Sequence, residues 1–168
     1  MQLFPSIYSS NSLAFFWMLL QSSSSILVCG NTGSGKTTTL NALFSFVPLN
    51  ERVVVVEETP ELNIFQEHCV KIIANKELGI TLSNLVEDTL RMRPDRVIVG
   101  EVRNAEEAQA LGECLLAGQA RGTYATMHAT DANGAVNRLK KLGLGSEELS
   151  EIDAIVVQRR LTRIYGGK

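Results

Sequence analysis

The fold of this chain is decided by eight consecutive residues, Gly30-Asn31-Thr32-Gly33-Ser34-Gly35-Lys36-Thr37. They match the pattern G-x-x-x-x-G-K-S/T at every defined position. A short apolar run, residues 26–29, precedes them, and residues 40–47 carry apolar side chains at helical spacing until Pro48. The sequence therefore predicts a buried strand, a glycine-rich loop and a helix in that order, which is the context that the pattern needs to bind phosphate groups.

Each part of this loop has a chemical reason to bind a nucleotide. Gly33 and Gly35 allow backbone N–H groups to turn inward around phosphate oxygens, and the start of the following helix attracts negative charge. Lys36 is expected to reach the β- and γ-phosphates, and the Thr37 hydroxyl to bind the Mg²⁺ that bridges them. Thr38 either contacts the α-phosphate or is only a residue of the first helical turn. A plain glycine-rich connection is the alternative, and the full match disfavours it.

Strand-like and helix-like segments alternate along the rest of the chain. Strands are predicted at residues 26–29, 53–56, 70–73, 96–99, 122–126, 155–157 and 161–165. Helices are predicted at residues 12–21, 36–47, 82–90, from 104 onward and from 132 to 142. This order predicts an α/β domain with a mainly parallel sheet flanked by helices, formed by residues 12–168 after an irregular stretch at 1–11.

Composition restricts the class of protein further. The chain has 168 residues, 45% of them apolar and 20% charged, with a formal net charge of −2, which predicts one soluble domain without a general attraction to polyanions. Three scattered cysteines without CxxC spacing indicate a reducing, cytoplasmic compartment. Residues 13–20 are too few to span a membrane and predict a buried helix. Because the first basic residue is Lys36, no secretory signal is expected, and membrane association would need a partner.

Three polar clusters follow predicted strands, where parallel α/β sheets bind their ligands. They are EETPEL at residues 57–62, the end of RMRPDRVIVGEVR at residues 91–103, and GTYATMHATD at residues 122–131. A GTPase would carry an N-K-x-D motif to recognise the base, and the nearest match, residues 75–78, lacks the aspartate. The chain is therefore expected to be a phosphate-binding protein of another branch, and an ATPase fits best.

Together with the glycine loop, and in this order, the three clusters resemble the motifs of the secretion ATPase superfamily. That superfamily comprises the motors of type II and type IV secretion, type IV pili, conjugation and archaella. The resemblance covers residues 12–165 and implies a RecA-like P-loop NTPase core that binds and hydrolyses ATP with Mg²⁺. It also implies a homo-oligomer, a hexameric ring in the family, that sits on a membrane platform protein from the cytoplasmic side.

The resemblance assigns roles to particular residues. Glu61 matches the catalytic glutamate, and a carboxylate at a strand end can orient or deprotonate the attacking water. Glu101 matches the atypical Walker B acid, which is expected to bind Mg²⁺ through water; the alternative is an acidic residue favoured by the dipole at a helix N-terminus. His128 matches the histidine that senses the γ-phosphate or couples it to the neighbouring subunit. Glu58 replaces the usual aspartate of the first cluster. Arg103 is expected to pair either with Glu101 or with a phosphate.

Family members have a domain before the motor core that supplies arginines to the phosphates, whereas only about ten residues precede the first predicted helix here. We therefore expect a truncated motor core with weak ATPase activity, or a nucleotide-binding subunit without turnover. Arg91, Arg93 and Arg159 are the internal candidates to replace those arginines, with a solvated surface position as the alternative. A nucleic-acid motor is disfavoured because no aromatic residues interleave with basic ones, so direct nucleic-acid binding is not expected.

Overall fold

The computed structural model describes residues 9–118 and 120–159 of the chain. Its helices are α1 (Ser10–Gln21), α2 (Lys36–Leu43), α3 (Leu82–Leu90), α4 (Ala105–Leu116), α5 (Ala132–Lys141) and α6 (Ser146–Ser150). Its strands are β1 (Ile26–Gly30), β2 (Arg52–Glu57), β3 (His68–Ile73), β4 (Arg96–Val102), β5 (Gly122–Met127) and β6 (Ala154–Gln158). Short 3₁₀ turns cover Phe44–Phe46 and Lys76–Leu78.

The strands form a single sheet in the order β3-β2-β4-β5-β1-β6, and every pairing between these described strands is parallel. The predicted α/β architecture with a mainly parallel sheet is confirmed. Parallel strands must be joined by crossovers, which is why helices alternate with strands along the chain. All their carboxyl ends lie at one edge, where the glycine loop and the three polar clusters meet.

Helices cover both faces of the sheet, so most side chains of the central strands are apolar and buried. In β1, Leu27 and Cys29 belong to the core on the side of α3, α4 and α5, whereas Ile26 and Val28 belong to the core on the side of α1 and α2. This alternation follows the two-residue repeat of a strand.

Two helix starts show why the elements begin where they do. The Asn104 side chain accepts a hydrogen bond from the Glu107 N–H at 2.9 Å, and Glu107 Oε2 accepts one from the Asn104 N–H at 3.2 Å. This reciprocal capping of α4 confirms the prediction from the spacing of the two residues. Thr81 and Asn84 cap α3 in the same way, a cap that sequence reasoning missed.

Residues 13–20 belong to a helix as predicted, but the prediction that this helix is buried is wrong for most of its side chains. Phe16 and Leu20 are buried in α1, but Phe15, Trp17 and Met18 are 52%, 53% and 60% exposed. The helix packs only one face against α2 and the turn that follows it, so its apolar length does not imply complete burial. No helix in the described ranges is long and apolar enough to cross a membrane.

Other differences concern the second half of the chain. Helix α6 was not predicted, because it is only one turn long and has no buried residue of its own. The predicted strand at residues 155–157 is confirmed as part of β6, which pairs with β1. The strand predicted at residues 161–165 lies outside the described residues.

The most characteristic sequence segment, residues 91–103, is divided between the two ends of β4. At its amino end, the Arg96 guanidinium is completely buried and donates to Glu51 Oε2 at 2.6 Å and to the Tyr124 hydroxyl at 2.6 Å. It also donates to the carbonyl oxygen of Leu20, which ties the end of α1 to the sheet. Burial by itself lowers the pKa of Arg96, but the hydrogen bond to Glu51 and the further interactions with Tyr124 and Glu51 together outweigh burial and raise that pKa.

Candidate functional site

The glycine loop, residues 30–37, joins β1 to α2 at the carboxyl edge of the sheet. Gly33 and Gly35 have φ angles of 70° and 98°, in the left-handed region that favours glycine. At Gly30 a Cβ atom would overlap the carbonyl oxygen of Gln158 and lie 2.5 Å from Ser34 Oγ, because the loop packs closely on the end of β6. Three glycines are therefore required by the geometry of the loop itself.

The end of this loop places Lys36 and Thr37 in the first turn of α2. Gly35 is the N-cap residue of α2, and it has no side chain that could accept a hydrogen bond from the first backbone N–H groups of the helix. Lys36 is buried, and its Nζ donates to the Asn31 carbonyl oxygen at 3.4 Å. The Thr37 hydroxyl donates to Glu61 Oε2 at 3.0 Å, which links the loop to the cluster after β2.

That cluster is organised by Glu57, a residue that was not among the predicted site residues. Its carboxylate is only 3% exposed, and Oε1 accepts hydrogen bonds from the backbone N–H groups of Glu61 at 3.1 Å and Leu62 at 3.0 Å. The chain after β2 therefore curls back over the strand end, which brings Glu61 to Thr37. The only sequence signal for this role is the position of a carboxylate at the last residue of an otherwise apolar strand.

The end of β4 contributes Gly100 and Glu101. The pairing of β4 with β5 shifts by one residue between Val99 and Glu101, a bulge that redirects the side chains that follow. Glu101 Oε1 lies 2.8 Å from His128 Nε2, just after β5. Glu101 Oε2 accepts a hydrogen bond from Arg103 Nε at 2.6 Å, and this bond is the main reason why the pKa of Arg103 is raised.

Arg103 is thus paired with Glu101, one of the two roles that the sequence left open. It is 58% exposed, and its Nη1 also lies 3.7 Å from Glu58 Oε2. Arg91 and Arg93, two of the candidates for the missing phosphate contacts, lie before Asp95, at the amino end of β4 and away from the loop, a position that favours the solvated-surface alternative. Arg159 lies beside the glycine loop, where its Nη2 donates to the Thr130 carbonyl oxygen at 3.4 Å.

A cleft of about 510 Å³ joins these groups. It brings together most of the residues singled out from the sequence: Thr32, Gly33, Gly35, Lys36, Thr37, Thr38, Glu61, Glu101 and His128. The other predicted loop residues, Gly30, Asn31 and Ser34, line a second cleft of about 500 Å³ on the opposite side of the loop, together with Gln158 and Arg159. Thr32 and Gly33 line both.

A glycine loop of this sequence, placed between a buried parallel strand and a helix at the carboxyl edge of an α/β sheet, defines a P-loop NTPase domain of the RecA-like type. Within that class the chain belongs to the type II/IV secretion system protein family, whose family model matches residues 6–165. The family resemblance seen in the sequence motifs is confirmed.

Individual relatives agree with this placement. The chain is 35% identical to the uncharacterized protein MJ1287 of Methanocaldococcus jannaschii over 167 residues, which is 95% of this chain and 60% of that protein. It is 35% identical to competence protein ComGA of Streptococcus pneumoniae over 141 residues, which is 84% of this chain and 43% of ComGA.

Among solved structures, the crystal structure of the VirB11 ATPase from the Brucella suis type IV secretion system, in complex with sulphate, matches with a TM-score of 0.72 and 27% identity. The match covers 83% of this chain and 42% of the VirB11 chain. The present chain therefore spans less than two thirds of the length of each of these three relatives.

Proposed function

We propose that the 510 Å³ cleft binds ATP with Mg²⁺ and that the chain hydrolyses it as the motor core of a secretion or pilus-assembly machine. The observation that carries this proposal is the convergence of two polar pairs on one cleft. Thr37 of the glycine loop contacts Glu61 at 3.0 Å, and Glu101 contacts His128 at 2.8 Å. These pairs come from four separate segments of the chain.

The glycine loop holds the phosphates in this proposal. The left-handed conformations of Gly33 and Gly35 and the start of α2 provide backbone N–H groups for anionic oxygens. Lys36 is buried against the loop, and among the residues that the structure describes its ammonium group donates one weak hydrogen bond, to the Asn31 carbonyl oxygen. A phosphate oxygen is a much better partner for that ammonium group than a carbonyl oxygen, because the hydrogen bond is then between opposite charges.

The oxygen atoms present fit a hard divalent cation. A hydroxyl that donates its proton to a carboxylate keeps its lone pairs, so the Thr37 oxygen can bind Mg²⁺ while its bond to Glu61 persists. The described cleft lining holds four carboxylates, Glu57, Glu58, Glu61 and Glu101, against the permanent charges of Lys36 and Arg103. Mg²⁺ would supply charge neutralisation for the phosphates. Thr37 and, through water, Glu101 would hold it.

Glu61 orients or deprotonates the water that attacks the γ-phosphate. Its carboxylate lies beside Thr37, and therefore beside the position at which the loop presents the terminal phosphate. His128 and Glu101 line the same cleft, where we expect the imidazole to detect whether the γ-phosphate is present. Loss of the γ-phosphate then changes the contacts of His128, and this change is the origin of the mechanical step.

At the level of the whole machine, we propose a cytoplasmic homo-oligomeric ring that acts on a membrane platform protein. Family membership supports this reading, as do the names of ComGA, a competence protein, and of VirB11, an ATPase of a type IV secretion system. Size measurements by light scattering with and without Mg-ATP test ring formation. A chain that stays monomeric at every nucleotide concentration would contradict that part of the proposal.

Release of phosphate from Mg-ATP by the purified chain tests the catalytic part. We expect Lys36→Ala to abolish nucleotide binding, and Glu61→Gln to lower kcat by about 10²-fold or more while a fluorescent ADP analogue still binds. The matched control is Glu67→Gln, the same chemical change at an exposed residue outside the cleft. If Glu61→Gln releases phosphate as fast as the unmodified chain, Glu61 is not the catalytic carboxylate, and a subunit that binds nucleotide without turnover becomes the better reading.

A further inference from the structure

Glu57 occupies a place in the site that the motif roles described above do not explain. It is the last residue of β2, and its side chain is almost completely buried although it carries an ionisable group. Oε1 accepts two hydrogen bonds from backbone N–H groups, those of Glu61 and Leu62. Oε2 is also buried and has no hydrogen-bond partner among the described residues. The two oxygens are therefore used very differently.

The contacts of Oε1 determine where Glu61 lies. Residues 57–62 form a tight return at the strand end, closed by these two bonds and by burial of Leu62. Strand β2 pairs on both sides, with β3 and with β4, so Glu57 is attached to a rigid part of the sheet. The Glu61 side chain then reaches Thr37 at 3.0 Å. A chain of contacts thus connects the sheet, through Glu57 and the Glu61 backbone, to the start of α2.

The neighbouring strand is shaped to accept this side chain. At Gly100 a Cβ atom would lie 3.1 Å from Glu57 Cγ and 3.3 Å from the Val56 carbonyl oxygen, closer than side chains normally pack. The absence of a side chain at Gly100 leaves the space between the ends of β2 and β4 in which the Glu57 side chain lies.

We propose that Glu57 is a positioning residue, which holds Glu61 in place by accepting hydrogen bonds from the Glu61 and Leu62 N–H groups through one oxygen. This inference rests on the proposed function, because it concerns the placement of the catalytic carboxylate. This positioning role of Glu57 requires a hydrogen-bond acceptor at a fixed distance from the backbone and does not require a negative charge. The amide oxygen of glutamine can accept the same two bonds, and its NH₂ group replaces an oxygen that has no hydrogen-bond partner among the described residues.

This reasoning predicts an unusual order among substitutions of Glu57. Glu57→Gln is expected to keep kcat within about threefold of the unmodified chain, since both backbone bonds persist. Glu57→Asp keeps the charge but withdraws the oxygen by one methylene group, so both bonds break, and kcat is expected to fall about tenfold or more, as in Glu57→Ala. The KM for ATP and the affinity for a fluorescent ADP analogue are expected to stay within about twofold, because the glycine loop is untouched.

Three results would overturn the proposal. A charge requirement is indicated if Glu57→Asp is more active than Glu57→Gln. A direct role in proton transfer is indicated if Glu57→Gln loses as much kcat as Glu61→Gln. No positioning role exists if Glu57→Ala is as active as the unmodified chain. ADP affinity measured on the same samples shows that each variant is folded around its glycine loop.

A second measurement does not depend on turnover. Amide hydrogen exchange of Glu61 and Leu62, followed by NMR, is expected to accelerate about tenfold or more in Glu57→Asp and Glu57→Ala, and to remain near the original rate in Glu57→Gln. If the unmodified chain releases no phosphate, the proposed function fails, and the exchange rates still decide whether Glu57 holds the Glu61 backbone. Unchanged exchange in Glu57→Ala would refute the positioning contact itself.

Discussion

Removal of the negative charge of Glu51 tests how the end of the sheet opposite the cleft is stabilised. The Arg96 guanidinium is 0% exposed and forms its ion pair with Glu51, which is itself 5% exposed. In Glu51→Gln the guanidinium keeps neutral partners, the Tyr124 hydroxyl at 2.6 Å and the carbonyl oxygens of Leu20 and Ser22 at 3.0 and 3.2 Å. The charge of Arg96, however, remains buried and loses the carboxylate that lies 2.6 Å away in the unmodified chain.

Breaking a buried ion pair from one side costs about 3–5 kcal/mol in the free energy of unfolding. The lower figure, about 3 kcal/mol, applies here because three neutral hydrogen-bond partners of Arg96 remain. For a domain of this size, about 2–4 °C of melting temperature correspond to 1 kcal/mol, so the midpoint should fall by about 6–12 °C. Urea unfolding at pH 7, followed by circular dichroism, measures the free energy directly.

Two control variants distinguish the effect of the unpaired buried charge from the general effect of a substitution on the free energy of unfolding. Glu67→Gln, at an exposed residue, should change the free energy of unfolding by less than about 0.5 kcal/mol. Arg121→Ala removes the second ion pair of Glu51, but Arg121 is 55% exposed, so we expect a loss of less than about 1 kcal/mol. If Glu51→Gln costs less than about 1 kcal/mol, the buried charge of Arg96 does not depend on Glu51 for its stabilisation, and the reasoning is wrong.

Two further predictions concern the glycine loop and the thiols. Gly30→Ala should lower the affinity for a fluorescent ADP analogue about tenfold or more, because the added Cβ would lie 2.5 Å from Ser34 Oγ and displace the loop. An affinity equal to that of the unmodified chain would contradict this prediction. Burial raises the pKa of all three thiols, that of Cys114 to about 12, so little thiolate exists at pH 8 and alkylation of the folded chain should be slow. Cys69, the only one of the three that is not fully buried, should react first, as peptide mass spectrometry of a labelling time course can show.

Local patterns in the sequence were sufficient to predict the class of fold and the loop. The glycine loop could be predicted because its chemistry depends on residues that are adjacent in the chain, such as Gly33, Gly35 and Lys36. Strands such as β2 could be predicted because burial on both faces leaves an uninterrupted apolar run. The capping of α4 by Asn104 and Glu107 is likewise a contact between residues only three positions apart.

Sequence reasoning placed the acidic and histidine clusters at strand ends, but only the tertiary structure decided which groups touch. Thr37 contacts Glu61, which is 24 residues away in the sequence, and Glu101 contacts His128, from which it is separated by a helix and a strand. These contacts form because the carboxyl ends of parallel strands lie at one edge of the sheet. The role of Glu57 was invisible in the sequence because its two partners are backbone N–H groups, which carry no residue signature.

Only the tertiary structure shows that residues with similar side chains occupy different environments in the fold. Residues 13–20 of helix α1 are all apolar in sequence, yet only Phe16 and Leu20 of this helix are buried. Arg96 and Arg103 stand seven residues apart in one motif; the first is buried at the amino end of β4, and the second lies in the cleft at the other end. A strand of seven residues separates its two ends by about 20 Å, so residues of a single motif can serve stability and function separately.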